Sequence, residues 1–149
     1  MINIQYLSFS YPSGEFRLDI DKLSVASGEK VAFVGPSGSG KTTLLNLVAG
    51  ILPSKSGSIK VDDDEINTLE DSSRRNFRIT NIGFIFQDFG LLDYLDVRDN
   101  ILHPYRITDA LKLDSGVRGR VDMLAEQMGI ADKLLRHPSD LSHGERQRV

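Results

Sequence analysis

Lys30-Val31-Ala32-Phe33-Val34-Gly35-Pro36-Ser37-Gly38-Ser39-Gly40-Lys41-Thr42-Thr43 is the stretch that decides the fold. Residues 35–42 fit G-x-x-x-x-G-K-[ST], the phosphate-cradling P-loop. The apolar run at 30–34 predicts a short buried strand, and residues 43–49 predict a helix. A strand feeding a glycine-rich loop that opens a helix is the setting this motif requires. Glycines at 35, 38 and 40 permit backbone angles that a Cβ would forbid. Successive N–H groups then turn inward as a concave anion nest. The helix that follows adds its unpaired N-terminal N–H groups and the positive end of its dipole. Lys41 is expected to place a compact cation on the β- and γ-phosphates of a nucleoside triphosphate. Thr42 supplies the hydroxyl for Mg²⁺, and Thr43 a second phosphate contact. The competing reading is a flexible Gly/Ser loop with an incidental lysine.

The chain has 149 residues, the length of one domain or part of one, and 40% of them are hydrophobic, enough for a packed core. A net charge of −3 gives no reason to expect nucleic acid as a partner. With no cysteine, disulfides and thiolate metal sites are excluded, which suits a reducing compartment. Met-Ile-Asn-Ile-Gln lacks the basic start and apolar run of a signal peptide. No 18-residue apolar stretch occurs, so any membrane role is expected to run through a partner.

Outward from the loop, the pattern is α/β. Ile2, Ile4 and Tyr6 alternate with polar residues, and Leu7, Phe9 and Tyr11 continue in the opposite phase. Phe16, Leu18 and Ile20 alternate again, so antiparallel segments joined near Pro12-Ser13-Gly14 are predicted. Leu44, Leu47, Val48 and Ile51 share one face of the helix after the loop, which Gly50 and Pro53 end. Ile59 and Val61 predict a short strand. Asp62-Asp63-Asp64-Glu65 could suggest a metal site but fits a solvated turn better. Residues 72–78 predict a short helix, and the continuous apolar run at 82–86 a buried strand. Asp96 is a candidate cap for a helix through Leu102. Val117, Val121, Leu124 and Met128 step by helical intervals to a stop at Gly129.

The last nine residues, Leu141-Ser142-His143-Gly144-Glu145-Arg146-Gln147-Arg148-Val149, contain S-x-x-E, a capping box. They predict a helix start, whose aimed N–H groups and hydroxyl also suit a phosphate. P-loop, Gln87 after an apolar run, and L-S-x-G-[QE] in this order make the chain resemble the ATP-binding subunits of ATP-binding-cassette (ABC) transporters. Phe9-Ser10-Tyr11-Pro12, Leu91-Leu92 and Asp96-Val97-Arg98-Asp99-Asn100-Ile101 look like that family too, within it the lipoprotein-release and macrolide-export subgroup. The resemblance covers essentially the whole chain. It implies a P-loop NTPase core of ABC type with N-terminal antiparallel β segments and a helical subdomain, lacking C-terminal strands. Residues 1–87 would hold the β segments and loop, 88–140 the mainly helical part, and 141–149 the signature motif.

Carried over residue by residue, the resemblance assigns ATP binding to Tyr11, Gly35, Ser37, Gly38, Ser39, Gly40, Lys41, Thr42 and Thr43, with the Tyr11 ring stacked on adenine. Lys41 and Gln87 would serve catalysis, and Thr42 and Gln87 the Mg²⁺ that accompanies ATP. Ser142, His143, Gly144 and Glu145 would meet the nucleotide of a second ATP-binding subunit in a head-to-tail dimer. A transmembrane permease subunit would be the other partner, which implies a cytoplasmic, peripheral location. His143 stands where the family usually has Gly, and Glu145 where it often has Gln. An imidazole there is expected to crowd a phosphate contact slightly and to be tolerated. The Mg²⁺-coordinating Asp, catalytic Glu and switch His of the family have no counterpart here. The expectation is therefore an N-terminal fragment of an ABC ATPase with half a site, binding ATP weakly and turning it over poorly. A non-hydrolysing nucleotide-binding or regulatory module is one alternative. A soluble ABC protein of DNA repair or translation is another.

Overall fold

A computed structural model describes residues 1–12, 14–54 and 56–149. They form two compact units, Met1–Ile82 and Gly83–Val149. Ser13, part of the expected hairpin turn, lies outside the described residues.

The first unit is built on a four-stranded sheet. Strands β1 (Ile2–Ser10), β2 (Arg17–Val25), β3 (Ser56–Val61) and β4 (Asp64–Glu65) lie in the order β2-β1-β3-β4. All pairs are antiparallel; Ile4 stands opposite Leu23 of β2 and Ile59 of β3. The two alternation phases in β1 have a physical cause. The register against β3 shifts between Gln5 and Ser8, and Tyr6 takes a left-handed φ of 49°. This bulge inserts one residue, so Ile4 and Leu7 both point into the core, with Ile2 and Phe9 packed beside them. Tyr6 does not belong to the first phase as expected; it is 77% exposed. Gly57 faces the bulge at φ 79°, and a Cβ there would stand 2.5 Å from the Tyr6 carbonyl oxygen and 2.6 Å from Leu7 Cα.

Helix α1 (Lys41–Val48) starts two residues before the expected Thr43 and lays Leu44 and Leu47 on the sheet with Ile59, Ile66 and Phe77. Each such side chain contributes about 1.5–3 kcal/mol by leaving water. Gly50, at φ 65°, closes α1 in a Schellman motif: its N–H donates to Leu47 O and that of Ile51 to Asn46 O. Ile51 is then exposed, outside the helical face assigned to it. Helix α2 (Asp71–Asn81) contributes Phe77 to the same core. The acidic run forms the β3–β4 turn, with Asp64 and Glu65 as β4; Asp62 adopts φ 51° and its carboxylate meets the Met1 ammonium.

Two expected strands do not form. Residues 30–34 join no strand, with Val31, Phe33 and Val34 exposed at 45%, 37% and 95%. Residues 82–86 are likewise outside any strand, and Ile85 is 95% exposed. A buried strand needs neighbours for its N–H and C=O groups on both sides. Among the described residues neither run pairs with a strand.

The second unit is helical. Its core joins Val97 and Leu102 of α3 (Val97–Arg106), Val121 and Ala125 of α4 (Ser115–Gln127), and Ile130, Leu134 and Leu141. Asp96 caps α3 by accepting from Asp99 N–H at 2.7 Å, as expected, but the helix runs past Leu102 to Arg106 with Pro104 inside its last turn. In α4 the buried face is Val117, Val121 and Ala125, whereas Leu124 and Met128 are 42% and 51% exposed. The expected stripe was rotated, because burial follows the Schellman closure. Gly129 donates to Glu126 O and Ile130 to Ala125 O, which swings Ile130 into the core. Helix α5 (His143–Arg148) follows.

We expect Gly57→Ala to cost about 2 kcal/mol or more, since the new methyl meets backbone that cannot yield and the residue keeps a left-handed φ. Urea unfolding of the two chains, compared at equal slope, measures it.

Candidate phosphate-binding site and signature segment

Within the first unit, residues 35–43 form the loop that the sequence predicts. Ser39 N–H donates to Pro36 O at 3.3 Å, making a tight turn around Ser37 and Gly38. Gly38 has φ 80° with open space where a Cβ would stand. Gly40 caps α1 at φ 94°, and a Cβ there would lie 2.8 Å from Phe16 Cζ. At Gly35 a Cβ would meet Ser39 Oγ at 2.9 Å. Lys41 folds back over this turn. Its ammonium donates to Gly35 O at 2.9 Å and Pro36 O at 2.8 Å, with Ser39 Oγ at 3.4 Å. A cavity of about 510 Å³ opens beside the loop, and its lining includes Gly35, Ser39, Lys41, Leu18, Phe33 and Leu44. No carboxylate is among its lining residues.

Tyr11 is brought to the same place. Its hydroxyl lies 3.1 Å from Thr43 Oγ1, while its ring takes an edge-on contact with Phe9 at 5.0 Å and a tilted one with Phe16 at 5.9 Å. Thr43 is 8% exposed; Thr42, next along α1, is exposed. Phe16 was not singled out in the sequence as a site residue. Its alternation marks it as a strand residue, but its ring packs on Gly40 and Tyr11 through contacts that no local pattern signals.

Gln87 and residues 142–145 belong to the second unit. Gln87 is exposed in a turn, where Phe89 N–H donates to Phe86 O at 3.3 Å and Phe89 has φ 65°. Ser142 caps α5 with a complete box: Glu145 N–H donates to Ser142 Oγ at 3.3 Å, and Ser142 N–H to Glu145 Oε2 at 2.7 Å. The His143 ring meets Phe89 edge-on at 4.9 Å, and Gly144 is exposed. Asn100, quoted above only as part of a family-like run, has a role not foreseen. Its amide accepts from Leu92 N–H and donates to the carbonyls of Leu92, Leu95 and Asp96, closing the turn before α3.

A family model described as ABC transporter matches residues 18–149. The chain belongs to the ABC transporter family. An uncharacterized ABC transporter ATP-binding protein of Mycobacterium tuberculosis (strain CDC 1551 / Oshkosh) is 39% identical over 99% of this chain and 45% of its own length. The lipoprotein-releasing system ATP-binding protein LolD of Geobacter metallireducens is 36% identical over the whole chain and 67% of its own length. The thiamine import ATP-binding protein ThiQ of Vibrio cholerae is 41% identical over the whole chain and 58% of its own. The dimeric ATP-binding cassette MJ0796, solved in a post-hydrolysis state with ADP and Pi, superposes with a TM-score of 0.83 at 27% identity, over 99% of this chain and 66% of that one. The chain thus spans between about half and two thirds of these relatives. It is an ABC ATP-binding domain with the α/β cassette fold. Among the described residues no helix is long and apolar enough to cross a membrane.

The Glu145 carboxyl is held below the ordinary glutamate range, first by the Ser142 N–H and then by the Ser142 hydroxyl; burial opposes them, and the charges of Lys133 and Arg148 add lesser lowering effects. A lowered folded value means the box stabilises α5 above the ordinary range and is lost as pH falls through the folded value. We expect the Ser142 amide resonance to titrate with a midpoint below the ordinary glutamate range and to stop doing so in Glu145→Gln. Proton–nitrogen NMR across an acid titration reads this.

Proposed function

We propose that these residues are the nucleotide-binding part of a cassette that binds MgATP and, in a polypeptide of the relatives' length, couples its hydrolysis to movement of a substrate by a transmembrane permease. The observation carrying this reading is the loop closed by Lys41 on its own carbonyls at the start of α1, with Tyr11 beside it. The triphosphate would take the N–H groups of the nest as donors. Lys41 would exchange its bonds to Gly35 O and Pro36 O for the β- and γ-phosphate oxygens, trading neutral acceptors for charged ones worth about 1.5–3 kcal/mol each. The exposed face of Tyr11 would carry adenine. Mg²⁺ would neutralise phosphate charge, and the Thr42 hydroxyl offered to it is of the hard oxygen type it takes.

Ser142 and Gly144 are proposed to meet the γ-phosphate of ATP held by a second ATP-binding subunit, with His143 and Glu145 shaping that turn. Such a pair works from the inner face of the membrane, attached through the permease. Phosphoryl transfer also needs a group that orients the attacking water. No carboxylate lines the loop cavity, which favours binding without turnover for these 149 residues taken alone. The LolD and ThiQ relatives are named for different cargoes, lipoprotein and thiamine, so no cargo is proposed.

Titration calorimetry with MgATP tests the reading. We expect binding by the 149-residue chain, at least tenfold weaker binding by Lys41→Ala, and negligible steady-state phosphate release by either. Equal binding by the two chains, or none by the first, would refute it.

A further inference from the structure

Gly40 opens α1 at a φ of 94° and offers no side-chain cap to the helix. The space its missing Cβ would take is filled from the entry to β2. Phe16 Cζ and Cε2 lie 2.8 and 3.3 Å from that position, and Leu18 Cδ1 lies 3.5 Å from it. Phe16 is itself partly buried and leans on the Tyr11 ring at 5.9 Å, while Leu18 stands opposite Phe9 in the β1–β2 register. The bonds that close the loop come from within it: Lys41 on the carbonyls of Gly35 and Pro36, and Ser39 N–H on Pro36 O. The Phe16 and Leu18 contacts come from outside it. The tip of the Phe16 ring makes the nearest approach, so reach matters here as well as bulk.

We propose that Phe16 is a positioning residue for the phosphate loop: the tip of its ring occupies the space beside Gly40 and holds that residue left-handed, so that the N–H groups opening α1 are aimed before an anion arrives. This rests on reading residues 35–43 as a phosphate site. Glycine has more backbone freedom to lose than any other residue. A glycine ordered in advance by a neighbouring ring loses less of it on binding, and the difference appears as affinity. Because the ring acts through the loop backbone, its effect falls on the phosphates. It is therefore the same for ATP as for bare tripolyphosphate, whereas a residue that met the base would tell the two apart. An apolar side chain too short to reach Gly40 would keep the hairpin packed and leave the loop unbraced.

The test measures ATP and inorganic tripolyphosphate binding by calorimetry on the 149-residue chain. Phe16→Leu keeps apolar bulk without the reach, and we expect it to weaken both compounds by the same factor, roughly threefold to tenfold. Phe16→Met, long and unbranched, should restore most of both affinities. Ile20→Ala removes packing from the same strand at a side chain that is not among those nearest Gly40. It should lower the melting temperature and leave both affinities unchanged, and melting curves establish that every variant is folded. In the unaltered chain, proton NMR should show a nuclear Overhauser contact between the Phe16 ring and the Gly40 α-protons; its absence overturns the inference whatever the variants do. Tripolyphosphate binding unchanged in Phe16→Leu, or equal losses in the Leu and Met variants, also overturns it. So does a loss confined to ATP, which would make Phe16 a base contact, or a loss in Ile20→Ala as large as in Phe16→Leu, which would mean a general loosening. An unaltered chain that binds neither compound overturns the phosphate-site reading itself, a result recognisable before any variant is made.

Discussion

The ammonium of Lys41 closes the loop it belongs to. Its bonds to the carbonyls of Gly35 and Pro36 draw the two ends of the glycine turn together, and the rest of the site is arranged around that closure. Gly40 must be left-handed for α1 to begin where it does, and it must lack a Cβ because Phe16 occupies that space. Phe16 comes from the entry to β2 and Tyr11 from the exit of β1, so the antiparallel hairpin and the phosphate loop form one object. The bulge at Tyr6 serves the same end. By changing the phase of β1 it lets Ile4 and Leu7 anchor the strand in the core while Phe9, two residues on, supports Tyr11. The sheet is thereby the scaffold that presents an aromatic ring to a cation-closed nest.

What was legible in the sequence is what local chemistry determines. The glycine spacing, the capping box at Ser142, the Asp96 cap and the stop at Gly129 each depend on residues within a turn of one another. The two phases of β1 were visible, but the residue that absorbs the slip was not, because a bulge is settled by the partner strand. Gly57 carries no local signal at all; its need for a bare Cα comes from the backbone of Tyr6 and Leu7 pressing on it. Leu124 and Met128 have the right helical interval and the wrong face, since Ala125, a weaker signal, lies under Ile130. The Tyr11–Thr43 bond joins positions far apart in the chain and has no periodicity to betray it.

The start of α5 shows how a bulky side chain beside a cap is accommodated, here the imidazole at position 143. The ring is directed onto Phe89, and both bonds of the capping box form regardless. Phe89 itself has a left-handed backbone, a conformation that costs a non-glycine residue on the order of 1–3 kcal/mol. The His143–Phe89 contact thus ties the turn after Gln87 to the start of α5 within one unit, by a side chain that glycine would not supply.

The runs at 30–34 and 82–86 make the sharpest contrast with the loop. Their residues have the composition of buried strands, yet Val34 and Ile85 stand almost fully in water. Strand character is a property of a pair, and no local pattern can supply the neighbour. The loop between residue 35 and α1, by contrast, holds its shape without such a neighbour. Lys41, the Gly40 cap, the turn at Pro36 and the Phe16 ring are all contacts inside the first unit. It follows that closing the loop and pairing these two runs as strands are physically separable: the first depends on bonds already made within the first unit.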